Sequence, residues 1–313
     1  MRIGLDMMGG DYAPVEAVKG VKLFLDTVAA DAHLVLIGDE AALAPLLSEA
    51  QLDQSKYSVV HSSQVIGMNE HPTKALKEKQ HSSISIGFHL LQSGKIDAFI
   101  SAGNTGAMMV GTFYSIKAIE GVQRPTISTP VPRLDGSIGL LLDVGINADC
   151  KAENLLQFAI LGSLYSKHIL NIENPTVGLL NIGEEEGKGN LLAQATYPLL
   201  KEHKELNFIG NVEGRDVLTG KADVIVCEGF TGNVILKMAE SLHDIAVQRN
   251  INDEYMDRFN FQSYGGTPVL GVSKPVIIGH GISKDTAFKN MIVLAQQMIE
   301  TKLLEKIRES FVK

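Results

Sequence analysis

Apolar residues follow two different periods along this chain, and the changes from one period to the other mark the predicted elements. Short apolar segments are typical of buried strands, and apolar residues that recur every three or four positions are typical of helices. Strands are predicted at Arg2–Asp6, Leu34–Ile37, Ser58–His61, Ala98–Ser101, Ile127–Val131, Gly139–Asp143, Val177–Asn181, Asn207–Ile209, Val224–Cys227 and Val276–Ile278. Helices are predicted to begin near Pro14, Glu40, Ser82, Gly106, Lys151, Leu191, Gly232 and Lys284. Because strands alternate with helices, the pattern indicates an α/β fold with a mainly parallel sheet and flanking helices.

Two further features of the pattern concern the last predicted helix and the domain organisation. An apolar stripe runs from Ala287 to Met298, and Ser283 is expected to cap that helix. The segment at about residues 238–264 carries many charges and no strand pattern. We therefore interpret residues 1–313 as a single α/β domain with a short helical excursion at about 238–264.

Composition narrows the class of protein. The net charge of -8 disfavours a general nucleic-acid binder, so nucleic acid is not expected as a partner. The two cysteines, Cys150 and Cys227, form no CxxC pair, which favours free thiols in a reducing compartment. The first ten residues lack the apolar core of a signal peptide, and no run approaches the roughly 18 apolar residues of a membrane span. These features predict a cytoplasmic protein that could still touch a membrane surface.

Polar, glycine-rich turns follow many of the predicted strands. In parallel α/β sheets, ligands collect where the carboxyl ends of strands meet the amino ends of helices. The turns therefore suggest a shared crevice; they span residues 6–14, 101–107, 181–190, 210–216, 228–233 and 279–285.

Two of these turns, Gly-Asn-Thr-Gly at 103–106 and Gly-Phe-Thr-Gly-Asn at 229–233, look like anion cradles. Glycine lets the backbone approach a ligand closely, and Asn and Thr add short hydrogen-bonding side chains. The alternative is a pair of tight turns in which Asn caps a helix. The chain has no GxxxxGK[ST], GxGxxG, HExxH or GxSxG motif, so no nucleotide, metal or serine-nucleophile site is indicated. Asp143 and Asp149 are interpreted as turn and cap residues.

Several cations and one histidine accompany the turns. Lys188, Arg124 and Arg133 lie near them in sequence, and Lys237 is expected on about the first turn of the helix after Gly-Phe-Thr-Gly-Asn. Such cations favour a bound phosphate. His280 lies between two glycines and could be a general acid or a phosphate donor, or a turn histidine satisfied by backbone. A second cationic set, Lys74, Lys77 and His81, has the spacing of one helix face.

Taken in order, the turns resemble those of PlsX-type phosphate acyltransferases of bacterial phospholipid synthesis. The matching segments run from MRIGLDMMGGDYAP through SAGNTGA, LLDVGINAD, VGLLNIGEEEGKGN, FIGNVEGRD and CEGFTGNVILK to YGGTPVLGV and HGIS. The resemblance implies transfer of a fatty acyl group from acyl carrier protein to inorganic phosphate, and a fold similar to phosphotransacetylases and to isocitrate and isopropylmalate dehydrogenases. It also implies a homodimer and a membrane acyltransferase that takes the acyl phosphate. No cofactor or metal is expected, since the motifs that would indicate one are missing.

The resemblance and the turns together give the candidate site. The expected catalytic residues are Asn104, Asn233, Lys237 and His280. The expected substrate-binding residues are Gly103, Thr105, Gly106, Lys188, Thr231, Gly232 and Ser283. Carrier-protein docking is assigned to Lys74, Lys77 and Arg133, since the carrier is acidic. The chain departs from the family pattern in a shorter segment between Lys237 and Tyr264 and in Ile282, where the family commonly has serine.

Three other functions compete with this one. They are a phosphotransacetylase-like enzyme that uses acyl-CoA, a dehydrogenase of the related fold, and a non-catalytic protein that binds a phospho-ligand. For the acyltransferase, phosphate is a competent nucleophile and neither cysteine has a neighbour that clearly stabilises a thiolate. Direct attack by phosphate, without an acyl-enzyme, is therefore predicted.

Overall fold

The computed structural model describes residues 1–28 and 31–312. The chain forms two compact units, Met1–Ala118 with Phe261–Leu304, and Ile119–Asn260 with Glu305–Lys313. Each unit is an α/β layer structure with a mostly parallel sheet, which confirms the predicted fold class. That residues 1–313 constitute a single domain stays a prediction.

The first unit contains six strands in the spatial order β3-β2-β1-β4-β11-β10. All neighbours are parallel except β10 and β11. The strands are β1 Arg2–Asp6, β2 His33–Gly38, β3 Tyr57–His61, β4 Ala98–Ser101, β10 Gly266–Leu270 and β11 Val276–Gly279. The helices are α1 Val15–Thr27, α2 Glu40–Glu49, α3 Pro72–Glu78, α4 Ser83–Gln92, α5 Thr105–Gly111 and α10 Asp285–Glu300. A π-helical turn, Thr112–Ile116, continues α5.

The second unit contains five strands in the order β5-β6-β9-β7-β8, of which only β5 and β6 are antiparallel. The strands are β5 Thr126–Pro132, β6 Ile138–Leu142, β7 Thr176–Asn181, β8 Asn207–Glu213 and β9 Val224–Val226. The helices are α6 Ala152–His168, α7 Leu191–Glu202, α8 Gly229–Gln248 and α9 Glu254–Asp257. Helix α11, Leu303–Phe311, belongs to this unit from Glu305 onward.

In strands β1, β2 and β4, which lie inside the first sheet, almost every residue is buried. Residues 3–6 of β1, 34–38 of β2 and all four residues of β4 lie in the core. The helices instead bury one stripe each: α1 buries Ala17, Val21 and Phe24 on one face. The polar residues that end the strands therefore emerge together at the carboxyl edge of each sheet.

The structure also corrects several boundaries. Strand β10, helix α11 and the π-helical turn have no predicted counterpart. Helix α3 carries Lys74 and Lys77, for which one helix face was predicted, and α9 lies within the predicted helical excursion at 238–264. Ser283 does not cap α10, because Lys284 occupies the cap position and the N–H of Asp285 donates instead to Glu16 Oε2, 3.2 Å away. His81 lies beyond α3, which ends at Glu78. Residues 238–264 hold the end of α8, then α9 and a short 3₁₀ turn, and no strand.

Candidate functional site

The carboxyl ends of three parallel strands meet at one edge of the first unit. Strand β1 pairs with β4, and β4 pairs with β11, so the strands end side by side at Asp6, Ser101 and Gly279. The turns that follow these strands are hydrogen-bonded to one another: the N–H of Asp11 donates to the Gly281 carbonyl at 2.7 Å. This edge carries six of the predicted site residues: Gly103, Asn104, Thr105, Gly106, His280 and Ser283.

Asp6 is the buried centre of this edge. Its carboxylate accepts hydrogen bonds from the Ser101 hydroxyl at 2.7 Å, from the Met8 N–H at 2.9 Å, and from the Ser83 hydroxyl and the Gly9 N–H. Burial raises the pKa of Asp6 above its ordinary value, and the hydrogen bonds oppose that rise. Ser101 Oγ in turn accepts from the Gly103 N–H at 2.9 Å.

Asn104 is the N-cap of α5 and is 4% exposed. Its Oδ1 accepts from the Ala107 N–H at 2.9 Å. Its Nδ2 lies 2.9–3.1 Å from the carbonyl oxygens of Gly67, Met68 and Glu70. The side-chain amide is therefore committed to holding the 67–70 turn against α5, and its expected catalytic role stays a prediction.

The 67–70 turn is closed by a second set of contacts. Glu70 Oε1 accepts from the Gly67 N–H at 2.6 Å and forms an ion pair with Lys79 Nζ at 2.5 Å. Lys79 Nζ also donates to the Val65 carbonyl at 2.7 Å. The Lys79 ammonium lowers the pKa of Glu70, so this carboxylate stays charged at neutral pH.

The start of α5 leaves three consecutive backbone donors unused. The N–H of Gly103 is taken by Ser101, and those of Ala107 and Met108 are taken by Asn104. Within the described ranges 1–28 and 31–312, the N–H groups of Asn104, Thr105 and Gly106 have no acceptor. Such groups at a helix start, together with the helix dipole, attract an anion.

The turn after β11 adds a hydroxyl and a histidine. Ser283 is 2% exposed, and among the described residues its Oγ has no hydrogen-bond partner. The N–H of Ser283 donates to the His280 carbonyl at 2.9 Å, which closes the turn. The His280 side chain is exposed. A buried hydroxyl without a partner is uncommon in folded proteins and suggests a ligand or water.

The second unit carries a different arrangement after β6. Asp143 is fully buried, and Oδ1 accepts from the N–H groups of Gly145 at 2.7 Å and Ile146 at 2.9 Å. Its Oδ2 accepts from the N–H of Asn147 and from Asn147 Nδ2. Burial raises the pKa of Asp143, and these hydrogen bonds oppose the rise. The N–H groups of residues 145–147 all donate to this one carboxylate, so Asp143 is a turn residue, as the sequence indicated.

Helix α8 begins at Gly229, three residues earlier than predicted, because Glu228 caps it. Glu228 Oε2 accepts from the Thr231 N–H at 3.0 Å, and Oε1 accepts from the Thr231 hydroxyl. The Gly229 N–H donates to the Asn147 carbonyl at 2.7 Å. The segment Gly-Phe-Thr-Gly-Asn thus forms the first helical turn rather than a loop before it. A carboxylate already occupies the positive end of this helix.

Gly232 and Asn233 pack against the turn that follows β6. A Cβ on Gly232 would overlap the carbonyl oxygen of Asp143, so only glycine fits there. Asn233 Nδ2 donates to the Val144 carbonyl at 3.1 Å. Since an amide carries two N–H groups, one of them is not used by this bond.

The predicted cations have different surroundings. Lys237 is the ninth residue of α8, not in its first turn, and its half-exposed ammonium pairs with Glu240 at 2.8 Å. Arg133 is 5% exposed and pairs with Asp223 at 2.9 Å, so it cannot serve as a surface docking residue. Lys188 is exposed. Arg124 donates to the Asp149 carbonyl at 2.7 Å.

The structure also identifies residues of these two regions that the sequence did not single out. They are Asp6, Ser101, Glu70 and Glu228. The usable signal was an Asp that ends a buried strand immediately before a glycine-containing turn, which occurs in LDMMGG and in LDVG. The Asn104 contacts with residues 67–70 join segments more than 30 positions apart and have no local signal.

The described residues contain no group of His, Cys, Asp or Glu side chains suited to a metal ion. Among the same residues, no helix has the length and apolar character needed to cross a membrane.

Residues 1–306 match the family model described as fatty acid synthesis protein. The phosphate acyltransferase of Dictyoglomus turgidum is 44% identical over 99% of this chain and 97% of the relative. That of Thermoanaerobacterium thermosaccharolyticum is 42% identical over 98% of this chain and 96% of the relative.

Solved structures confirm the fold. A phosphotransacetylase from Streptococcus pyogenes superposes with a TM-score of 0.67 and 17% identity, over 96% of this chain and 94% of that one. A branched-chain phosphotransacylase from Enterococcus faecalis gives a TM-score of 0.63 and 13% identity, over 96% and 99%.

Proposed function

Since this chain belongs to the fatty acid synthesis protein family, we propose that it is an acyltransferase that moves a fatty acyl group from acyl carrier protein to inorganic phosphate. The products are acyl phosphate and free carrier protein. Relatives named phosphate acyltransferase align with nearly the whole chain at more than 40% identity. The observation that carries the proposal is the start of α5, where three adjacent N–H groups have no acceptor among the described residues.

Phosphate binding in the first unit follows from the donors there. The N–H groups of Asn104, Thr105 and Gly106 supply three adjacent donors at the positive end of α5. Ser283 adds a buried hydroxyl at the same carboxyl edge, and His280 adds an exposed imidazole. Gly106 is needed because a Cβ there would overlap the Pro72 ring.

The chemistry requires little beyond placement. A thioester is already activated, and phosphate is an anionic nucleophile near neutral pH. An oxygen of phosphate forms a bond to the thioester carbon, and the carbon–sulfur bond breaks to release the thiol of the carrier. Positioning of the reactants lowers the activation barrier of such a reaction by roughly 7–11 kcal/mol. Each donor to the developing oxyanion contributes about 2.7–4 kcal/mol.

The roles of the candidates in the second unit stay proposals, and the structural support differs from one residue to the next. Asn233 is the strongest, because one of its two amide hydrogens is not used by its bond to Val144. Thr231 and Gly232 act in our proposal through the start of α8, where the Thr231 N–H donates to the capping Glu228 and Gly232 packs against the Asp143 turn. Lys188 and Lys237 remain proposed charge partners, although Lys237 is paired with Glu240.

We further propose a cytoplasmic homodimer that meets the membrane only at its surface and passes acyl phosphate to a membrane acyltransferase. The expected vesicle binding is weak and salt-sensitive, since the 238–264 segment mixes apolar and charged residues. Tight, salt-resistant co-sedimentation with vesicles would contradict this. Sedimentation analysis of the purified chain measures the oligomeric state directly.

The decisive experiment is incubation of the purified protein with acyl carrier protein thioester and phosphate. Acyl phosphate, trapped by hydroxylamine as the hydroxamate, is the expected product. A parallel reaction with acyl-CoA tests the phosphotransacetylase-like alternative, and turnover there at a higher kcat/KM would replace the proposed donor. Phosphate binding without any product would identify a non-catalytic binding protein.

A further inference from the structure

The Asp6 carboxylate connects three segments that meet beneath the start of α5. It accepts from Ser101 at the end of β4, from Ser83 at the start of α4, and from the N–H groups of Met8 and Gly9 in its own turn. The N–H groups of Met8 and Gly9 can only donate, so they favour the ionised carboxylate, while burial opposes ionisation. The two serine hydroxyls can donate to the carboxylate in this state.

Ser101 transmits the orientation of Asp6 to the backbone. Its single hydroxyl hydrogen points at Asp6 Oδ2, 2.7 Å away, so its lone pairs are left to accept from the Gly103 N–H at 2.9 Å. That bond fixes the peptide group before Gly103. The three N–H groups without an acceptor follow immediately along the chain.

The packing leaves little freedom in this connection. A Cβ on Gly9 would lie 2.7 Å from the Gly103 nitrogen and 2.9 Å from its Cα, so the two turns are in backbone contact. Ser101 and Asp6 are both at most 1% exposed. A shift of the Asp6 turn is therefore passed on to Gly103.

We propose that Asp6 is a positioning residue that acts through Ser101 to hold the N–H groups of Asn104, Thr105 and Gly106 in the orientation that binds phosphate. The proposal rests on the proposed function, since it assumes that phosphate binds at these groups. Asp143 in the second unit provides a contrast: among the described residues, its carboxylate accepts only from residues 145–147 of its own turn.

The test compares Asp6→Asn, Ser101→Ala and the double variant. Asp6→Asn is nearly isosteric, but it directs an amide NH₂ at one of the donors and loosens Ser101. Each single variant is expected to weaken phosphate binding, by calorimetry, and to raise the KM for phosphate about 10- to 100-fold, as loss of aligned donors does. The KM for the acyl carrier is expected to change less than about twofold. The two single variants interrupt the same connection from Asp6 through Ser101 to Gly103. The double variant should therefore lose no more phosphate affinity than the weaker-binding single variant.

Asp97→Asn is the matched control. Asp97 accepts from the Arg2 N–H at 2.7 Å, at the opposite end of the same strand β1, and it precedes β4, whose other end is Ser101. It is expected to leave phosphate affinity unchanged. If Asp6→Asn does not fold, Ser101→Ala decides the question.

Unchanged phosphate affinity in a folded Asp6→Asn or Ser101→Ala variant overturns the proposal. Equal increases in the KM for phosphate and the KM for the acyl carrier would also overturn it, and so would losses of phosphate affinity that add in the double variant. Either result would indicate a general structural role. Failure of the proposed function is a separate result: the wild-type protein would then bind phosphate, with Asp6 needed for it, but form no acyl phosphate.

Discussion

The two helix starts at α5 and α8 have similar sequences and opposite electrostatic character. Both follow a buried strand and contain Gly, Thr and Asn. Helix α5 is capped by the neutral amide of Asn104, and the three N–H groups of residues 104–106 lack an acceptor among the described residues. Helix α8 is capped by the carboxylate of Glu228, which takes the Thr231 N–H, while Asn147 takes that of Gly229. The first can hold an anion, and the second already does.

The difference arises one residue before the shared pattern. Whether the glycine-rich segment begins before the helix or lies wholly inside it depends on the cap position. In the first unit the cap is Asn104, the second residue of the segment 103–106. In the second unit the cap is Glu228, which precedes the segment 229–233, so Gly232 enters the helix and packs against the Asp143 carbonyl. A resemblance between short glycine-rich turns therefore does not imply a shared ligand.

Changing the charge of the cap residue of α5 should have the largest effect on phosphate use, whereas the same kind of change at the cap of α8 should have little. Asn104→Asp keeps an acceptor for the Ala107 N–H but adds a negative charge beside the open N–H groups and loses the donor to residues 67–70. We expect kcat/KM for phosphate to fall about 1,000-fold, and about 10- to 1,000-fold in Asn104→Ala. Glu228→Gln, which removes the charge from the other cap, should leave the KM for phosphate within about threefold. Steady-state kinetics at fixed acyl carrier measures both.

If Glu228→Gln weakens phosphate use and Asn104→Asp does not, the assignment of the two helix starts is reversed. Circular dichroism of both variants shows whether either helix has been lost.

Gly232→Ala is expected to have the next largest effect, on stability. Its Cβ would overlap a backbone oxygen that cannot move without displacing the Asp143 turn. Such overpacking costs about 1–3 kcal/mol of unfolding free energy, measurable by urea denaturation. Gly187→Ala is the control, because a Cβ there meets nothing within 4 Å and its φ is not in the left-handed region. Equal stability of the two variants would show that the start of α8 is less closely packed than described.

Much of the fold was predictable because burial on both faces makes parallel strands continuous apolar runs. Strands β1 and β4 were predicted to the residue. Strand β10 was not, since Gly266 and Pro268 disguise its pattern. The site was predictable only in part: the 103–106 turn is local, whereas the clamp of Asn104 on residues 67–70 depends on tertiary contacts.

The cations predicted to dock the carrier protein differ in exposure between the two units. Lys74 and Lys77 are exposed on α3, whose Pro72 packs against Gly106, whereas Arg133 in the second unit is buried against Asp223. Lys74→Glu with Lys77→Glu should raise the KM for the acyl carrier about two- to tenfold, since exposed ion pairs contribute roughly 0.2–1 kcal/mol each. The salt dependence of that KM should flatten, and the KM for phosphate should not change. A carrier KM that does not move would place docking on another surface.

The smallest effect on activity is expected from substitution of the two cysteines, whose thiols feel the charge of Glu228 at the start of α8. Burial, with the charges of Glu228 and Asp143, raises the pKa of the Cys227 thiol, and burial raises that of Cys150 to about 11. Both groups are thiols at neutral pH, because a pKa above the ambient pH favours the protonated form, and neither is an activated nucleophile. Cys150→Ser with Cys227→Ser should therefore keep most of the activity.

Alkylation of Cys150 by iodoacetamide should be slow at pH 7.5, and its rate should rise about tenfold per pH unit until the pH approaches the pKa. Mass spectrometry of the wild-type protein mixed with acyl carrier, with phosphate omitted, should show no acyl adduct; an adduct that forms as fast as turnover would replace direct attack by phosphate with a two-step mechanism.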